Sequence, residues 1–254
     1  MTVLINGDSW TGGWENPEQL KFRFWADHLV DSTGLAISNQ ALQGSSADRI
    51  ARTTLLELQT RRDIDTVIIG WSSTDRGEVV WRDQGYLRIT SQLVLGGAGL
   101  TDQDRQAIQT RYYTDHYDPV DSQCRFLSAV LSIQTICSAQ SIRLINFQSF
   151  NDNFRKVEQS PTNLTLLSSI DWSTWIAGTM QAILRLEGYK DQGYHIEDSG
   201  MRRWAEIIKN RLDLGVQEEV ERRKSYGSRW ANNWGLQQQE RWQKILDPAQ
   251  SVKY

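Results

Sequence analysis

The sequence has no apolar run near the roughly 18 residues that a membrane span needs. Its opening, MTVLINGDSW, has neither a basic start nor a long apolar stretch, and reads as a first strand and not as a signal peptide. Cysteine is scarce, with only Cys124 and Cys137. Both fall in one expected helix, where their separation spans about 20 Å, and a disulfide needs Cα atoms within about 7 Å. A reducing compartment is the simple reading. Histidine occurs three times, and no Cys/His cluster has metal spacing, so neither a metal nor an organic cofactor is expected. Positive charge is not in excess: 28 Lys and Arg stand against 31 Asp and Glu, for a net charge of −3. That is no footprint for nucleic acid. No G-x-G-x-x-G or P-loop pattern follows the first strand, which argues against a nucleotide-binding domain.

Apolar residues are plentiful enough. They make up 39% of the 254 residues, against 23% charged, so a packed core is expected and disorder is not. The length suits one large domain, or one domain with a tail. Eleven tryptophans are many. Core and rim packing is their first reading; a stacking surface for sugars or a partner is the sharper one.

Thr2–Asn6 is a short apolar run ended by Gly7 and reads as a buried strand. Pro17 opens a helical pattern to about Leu29. Leu35–Asn39 is a second strand, and Ser46 caps an expected helix, Ala47–Arg61, that buries Ile50, Leu55 and Leu58. Thr66–Trp71 is the clearest buried strand. A helix over 120–140 carries Phe126, Val130, Ile133 and Cys137 on one face, and Ile142–Phe147 is another strand. Helices are expected over 172–187 and 198–212, the last with a stripe of Met201, Trp204, Ala205, Ile208 and Leu212. Strands alternating with helices predict a three-layer α/β/α domain with a mainly parallel sheet. Ligands of such sheets bind beyond the carboxyl ends of the strands.

The expected domain covers 1–212, with a long insertion at 73–119 after the third strand. The insertion holds a β-like piece, Tyr86–Leu95, and a glycine-rich turn, Gly96–Gly99. Its aromatic cluster of Tyr112, Tyr113, His116 and Tyr117 reads as packing before ligand stacking. Residues 213–254 form a polar C-terminal extension carrying Trp230, Trp234 and Trp242, expected to dock on its own domain or on a partner. The charged run 218–224 reads as a solvated helix face.

Three strand ends carry the chemistry. Gly7-Asp8-Ser9 follows the first strand, Gly44 sits in SNQALQGSSADRIAR after the second, and Gly70-Trp71-Ser72 ends the third. GYKDQGYHIEDSGMRRWAEII then places His195 just before the last helix. A serine hydroxyl is a poor nucleophile until an imidazole takes its proton. A carboxylate fixes the imidazole tautomer, and backbone N–H groups hold the oxyanion. His28 lies on a helix among apolar neighbours and His116 lies in the insertion, which leaves His195 as the base.

These blocks, in this order, resemble the SGNH (GDSL-type) hydrolases over roughly residues 2–212. The stretches IIGWSSTDRGEVVW and RYYTDHYDP look like the corresponding stretches of SGNH-like proteins from large tailed cyanobacterial phages. The resemblance implies Ser9 as nucleophile and His195 as base, with Ser9 and Gly44 as backbone oxyanion donors. The chain departs from the pattern twice. Ser72 stands where an asparagine is usual, leaving its hydroxyl as third donor. Position 192 is Gln, so Asp191, four residues before His195, is the expected triad acid, with Glu197 and Asp198 as the other nearby carboxylates. Asp8, Trp10, Trp71, Arg76 and Glu78 are expected around the pocket, the last with Arg76 as an ion pair at its rim.

The implied activity is a serine esterase acting on a small acyl ester, or on an acylated glycan. The alternative is a degenerate SGNH domain serving as a binding or virion-associated module, with the C-terminal extension contacting a phage or host protein. Neither nucleic acid nor membrane is an expected partner. The expected location is the cytoplasm, the host's for a phage-encoded chain, or the virion.

Overall fold

A computed structural model describes residues 2–12, 23–80, 85–154, 160–192 and 195–225. Five strands form one sheet: β1 (Thr2–Gly7), β2 (Ala36–Asn39), β3 (Ile64–Trp71), β7 (Arg143–Gln148) and β8 (Trp175–Thr179). Their order is β2-β1-β3-β7-β8, and every neighbouring pair is parallel. Parallel strands are covered on both faces, and Val3, Leu4 and Ile5 are accordingly all buried. Side chains alternate with period two. Leu4, Val67, Ile69 and Trp71 therefore face one layer, with α2 (Ala47–Thr60), α4 (Pro119–Ala139) and α5 (Pro161–Ser168). Val3, Ile5, Ile68 and Phe147 face the other, with α1 (Trp25–Thr33), α6 (Met180–Leu186) and α7 (Asp198–Ser225). This is the expected three-layer α/β/α architecture.

Local chemistry sets the helix ends. Ser46 accepts from the Arg49 N–H at 3.2 Å and Asp118 from the Asp121 N–H at 2.8 Å, each satisfying a donor that the first turn leaves open. Gly34 closes α1 in the left-handed region, at φ 65°. Residues 13–22, and with them the helix start expected at Pro17, lie outside the described residues; the described helix begins at Trp25.

The helix expected over 172–187 is three elements: a 3₁₀ turn at Trp172–Thr174, strand β8, then α6. Gly178 has φ 85°, which no helix interior accommodates. Thr179 then caps α6 by accepting from the Ala182 N–H at 3.1 Å.

The insertion builds its own antiparallel sheet, β4 (Gly77–Val80), β5 (Tyr86–Ile89) and β6 (Val94–Leu95), followed by α3 (Asp102–Arg111) and a π-turn at Tyr112–His116. Tyr112 packs in a small core with Leu87, Ile89 and Val94, and Tyr113 and Tyr117 lie against it. The aromatic cluster is thus packing, with His116 exposed beside it. Arg52 of α2 clamps the sheet, holding Glu78 with Nη2 at 2.9 Å and stacking 4.0 Å over Tyr86.

Helix α7 runs on past residue 212 to Ser225. The three tryptophans of the extension lie outside the described residues. Among the described residues no helix is long and apolar enough to cross a membrane, and no group of three or more His, Cys, Asp or Glu could hold a metal ion.

Candidate active site at the carboxyl edge of the sheet

The sheet order places β1 between β2 and β3, so the chain leaves β1 in one direction for β2 and later returns to its other side. Such a reversal opens a crevice beyond the carboxyl ends. Gly7 at the end of β1 pairs with Gly70 on β3. Both must be glycine, because Thr11 folds back over the strand ends: a Cβ would stand 2.3 Å from its Oγ1 at Gly7 and 2.2 Å at Gly70.

Ser9 sits in a tight turn above this edge and is buried. The Asp8 carbonyl accepts from the Thr11 N–H at 3.0 Å and the Gly12 N–H at 3.2 Å. Asp8 Oδ1 accepts from the Trp10 N–H at 3.0 Å. Asp8 Oδ2 accepts from Arg76 Nη1 at 3.2 Å. The Asp8 carboxyl is fully buried, and burial raises its pKa against the opposing pull of Arg76, the Trp10 N–H and the neighbouring Ser149 and Ser72 hydroxyls.

His195 comes to the same place from the other end of the chain. It lies on β10 (His195–Ile196), which pairs with β9 (Asp191–Gln192) in a short antiparallel ribbon just ahead of α7. Its ring is 5.3 Å from Trp10 and edge-on to Phe24 at 6.2 Å, and it donates to the Ser9 carbonyl. Burial first, and the Arg76 charge second, bring its pKa down to about 4 against that Ser9 bond. The imidazole is therefore neutral at pH 7.

That shift predicts a pH dependence of stability. The unfolded imidazole titrates near 6.5, so between about 6.5 and 4 the unfolded chain binds the extra proton. Stability present above pH 6.5 is lost as pH falls towards 4, by on the order of 3 kcal/mol. Denaturant midpoints measured from pH 7 to 4 will show this fall, and His195→Gln will remove its share.

The other expected site residues are distributed as follows. The loop bearing Gly44 reaches the end of β1, where the Leu42 N–H donates to the Gly7 carbonyl at 3.1 Å. Gly44 is buried at φ 74°, and Leu95 of the insertion covers its α-carbon. Ser72 is buried with its hydroxyl beside Asp8. Asp191 is held by Arg185 through both carboxylate oxygens, and its ribbon partner is Ile196, not His195. His28 Nε2 and Asp198 Oδ1 share a hydrogen bond at 3.0 Å, which ties α7 to α1. Glu197 turns to the Lys190 N–H. Trp71 is not on the pocket wall: strand parity sends it into the core against Phe126, with Nε1 donating to Asn146 Oδ1 at 2.9 Å. The expected Arg76–Glu78 pair does not form, because Arg76 turns to Asp8 and Glu78 to Arg52.

Three residues of the loop after β7 went unnoticed in the sequence. Phe150 faces Trp10 at 6.0 Å and lies under the Arg76 guanidinium at 4.7 Å. Asn153 donates to the Ser72 carbonyl at 2.7 Å and accepts from the Thr74 N–H at 3.3 Å, while Asn151 donates to the Ser73 hydroxyl at 2.7 Å. They fix the loop that follows β3. Their signal was position: SFNDNF directly follows a strand at the ligand-binding edge.

No protein-family model and no curated protein matches the chain. Solved structures similar to it include the psychrotrophic esterase EstA of a Pseudoalteromonas species, inhibited by monoethylphosphonate, at 13% identity and TM-score 0.45, covering 84% of this chain and 98% of that one. Another is a member of the lipolytic G-D-S-L family from Veillonella parvula, at 12% identity and TM-score 0.42, covering 85% and 98%. A third is a putative acylhydrolase from Bacteroides fragilis, at 11% identity and TM-score 0.38, covering 85% and 88%. At such identities and scores, what this chain does has to be argued from its own residues.

Proposed function

We propose that this chain is a serine ester hydrolase of the SGNH (GDSL) type, cleaving small acyl esters through an acyl-serine intermediate. One observation carries the reading: the turn leaving β1 and the ribbon entering α7 meet, so that Ser9 and a neutral, buried His195 stand together at the crevice of the sheet. Ser9 Oγ attacks the ester carbonyl and His195 takes its proton, then returns it to the departing alcohol. The Ser9 and Gly44 N–H groups hold the oxyanion. The bond from His195 to the Ser9 carbonyl gives the ring its orientation, and the catalytic contact from Nε2 to Oγ is made when substrate binds. Trp10, Phe24 and Phe150 make the wall aromatic, which suits a short acyl chain or the apolar face of an acylated sugar.

Because Arg185 already holds the Asp191 carboxylate, its role is positional within the ribbon. Asp191→Asn is expected to lower kcat by less than about tenfold, whereas loss of a true triad carboxylate costs about 10⁴. Steady-state kinetics on a short-chain aryl ester will separate the two.

A second reading has one observation in its favour. The Ser72 hydroxyl faces Asp8 where an asparagine would serve the oxyanion, as in a degenerate domain kept for binding, such as a virion-associated phage protein. Hydrolysis of a short-chain aryl ester by the purified chain, lost in Ser9→Ala, supports the enzyme. No turnover by either protein rejects it.

A further inference from the structure

Arg76 occupies a place in the site that no motif explains. It is the residue before β4, and the insertion fixes the backbone on both sides of it. Tyr113 Oη donates to the Asp75 carbonyl at 2.9 Å. Tyr112 lies so close to Gly77 that a Cβ there would stand 2.2 Å from its hydroxyl. The guanidinium is then held by Asp8 Oδ2 at 3.2 Å and by the face of Phe150 at 4.7 Å.

The two ends of this ion pair differ in exposure. The Asp8 side chain is 0% exposed and that of Arg76 is 15%. Solvent therefore reaches the cationic end of the pair and not the anionic end. A guanidinium carries five N–H donors, more than one carboxylate oxygen can take. The same charge acts on His195, which places it within electrostatic reach of the imidazole beside Ser9.

We propose that Arg76 is a catalytic residue, the third oxyanion donor, receiving the charge that develops on the acyl oxygen when Ser9 attacks. This rests on the serine-hydrolase reading. In the step, Ser9 Oγ bonds to the carbonyl carbon, the carbonyl π pair moves onto oxygen, and the hydroxyl proton passes to His195. Arg76 donates a hydrogen bond to the oxyanion and transfers no proton. Collapse re-forms the carbonyl and breaks the bond to the alcohol oxygen, which takes the proton from His195. Ser72, at the position where an asparagine is usual, has a shorter and buried side chain beside Asp8. The insertion gains a purpose as well: its tyrosines hold the donor in register with the serine.

The test uses the full chain and Arg76→Gln, Arg76→Lys and the double variant Asp8→Asn/Arg76→Gln. The double variant leaves no lone buried carboxylate, should Arg76→Gln alone fail to fold. On a neutral short-chain aryl ester, kcat is expected to fall by about 10²–10³ in the glutamine variants, with KM within about threefold and an intermediate loss for lysine. The acid limb of kcat/KM should move to higher pH, since a positive charge near His195 is gone. A folded double variant that keeps wild-type kcat overturns the proposal. So does a defect confined to KM for anionic esters, which would make Arg76 a clamp for a substrate anion. Labelling by a phosphonate ester separates the layers. Wild type labelled on Ser9 with unchanged rates in the double variant removes only the Arg76 role. No turnover and no label in wild type removes the serine reading and Arg76 with it.

Discussion

Ser9→Ala will lower kcat on a short-chain aryl ester by on the order of 10⁴–10⁶ while leaving the fold intact. The effect is large because no other group can form the acyl intermediate, and a water in its place would depend on binding and oxyanion contacts alone. The fold survives because nothing in the turn depends on the hydroxyl. Asp8 closes it through its carbonyl, to Thr11 and Gly12, and through its carboxylate, to Trp10. The denaturation midpoint should therefore match wild type within about 1 kcal/mol. A variant that loses activity together with its stability would point to a structural serine. A variant that keeps its activity would remove the mechanism.

Trp204→Ala will cost about 3–5 kcal/mol of stability. Trp204 is completely buried on the first turns of α7, and its ring lies 5.1 Å from Phe147 of β7. Truncation removes a large apolar contact between α7 and the sheet and leaves a cavity among Met201, Ile208 and Leu184, which close packing lets the surroundings fill only in part. The cost reaches the site, because α7 starts three residues after His195 and shares with it the anchor of Ile196, buried against Gly200. Trp204→Phe, which keeps a ring against Phe147, should lose less than half as much. Urea unfolding tests this: the midpoint should fall while the slope stays constant. A loss under about 1 kcal/mol would mean that α7 is held elsewhere.

Strands buried on both faces were plain in the sequence. Thr2–Asn6 and Thr66–Trp71 are short apolar runs of strand length, and Ile142–Phe147 is mostly apolar around Arg143 and Asn146. β8 was hidden because Trp175–Thr179 runs into Met180–Leu186 with only Gly178 and Thr179 between them, and it is the positive φ of Gly178 and the Thr179 cap that mark where one element ends and the next begins. β4 was hidden because its four residues carry too little pattern.

The site was legible where it depends on position. Ser9 was singled out by the rule that ligands meet the carboxyl ends of strands, and His195 by the resemblance, which expects a histidine just before the last helix. The charges around them were not legible, because their partners are far apart in sequence. Arg76 lies two residues from Glu78 but bonds Asp8 across 68 positions, and Glu78 bonds Arg52 across 26. Local spacing favours the nearer pair; the buried carboxylate at the strand end, which needs a counter-charge, takes the farther one. Trp71 was placed at the pocket by its neighbours in sequence, although its parity with Val67 and Ile69 already assigned it to the core.

The central claim is that the two chain segments meet as a nucleophile and its base. The most direct measurement is peptide mass mapping after reaction with a phosphonate ester. One adduct per chain is predicted, on the peptide that contains Ser9, with labelling slowed by at least about 10²-fold in His195→Ala. An adduct on another residue, or labelling at an unchanged rate without the imidazole, would contradict it.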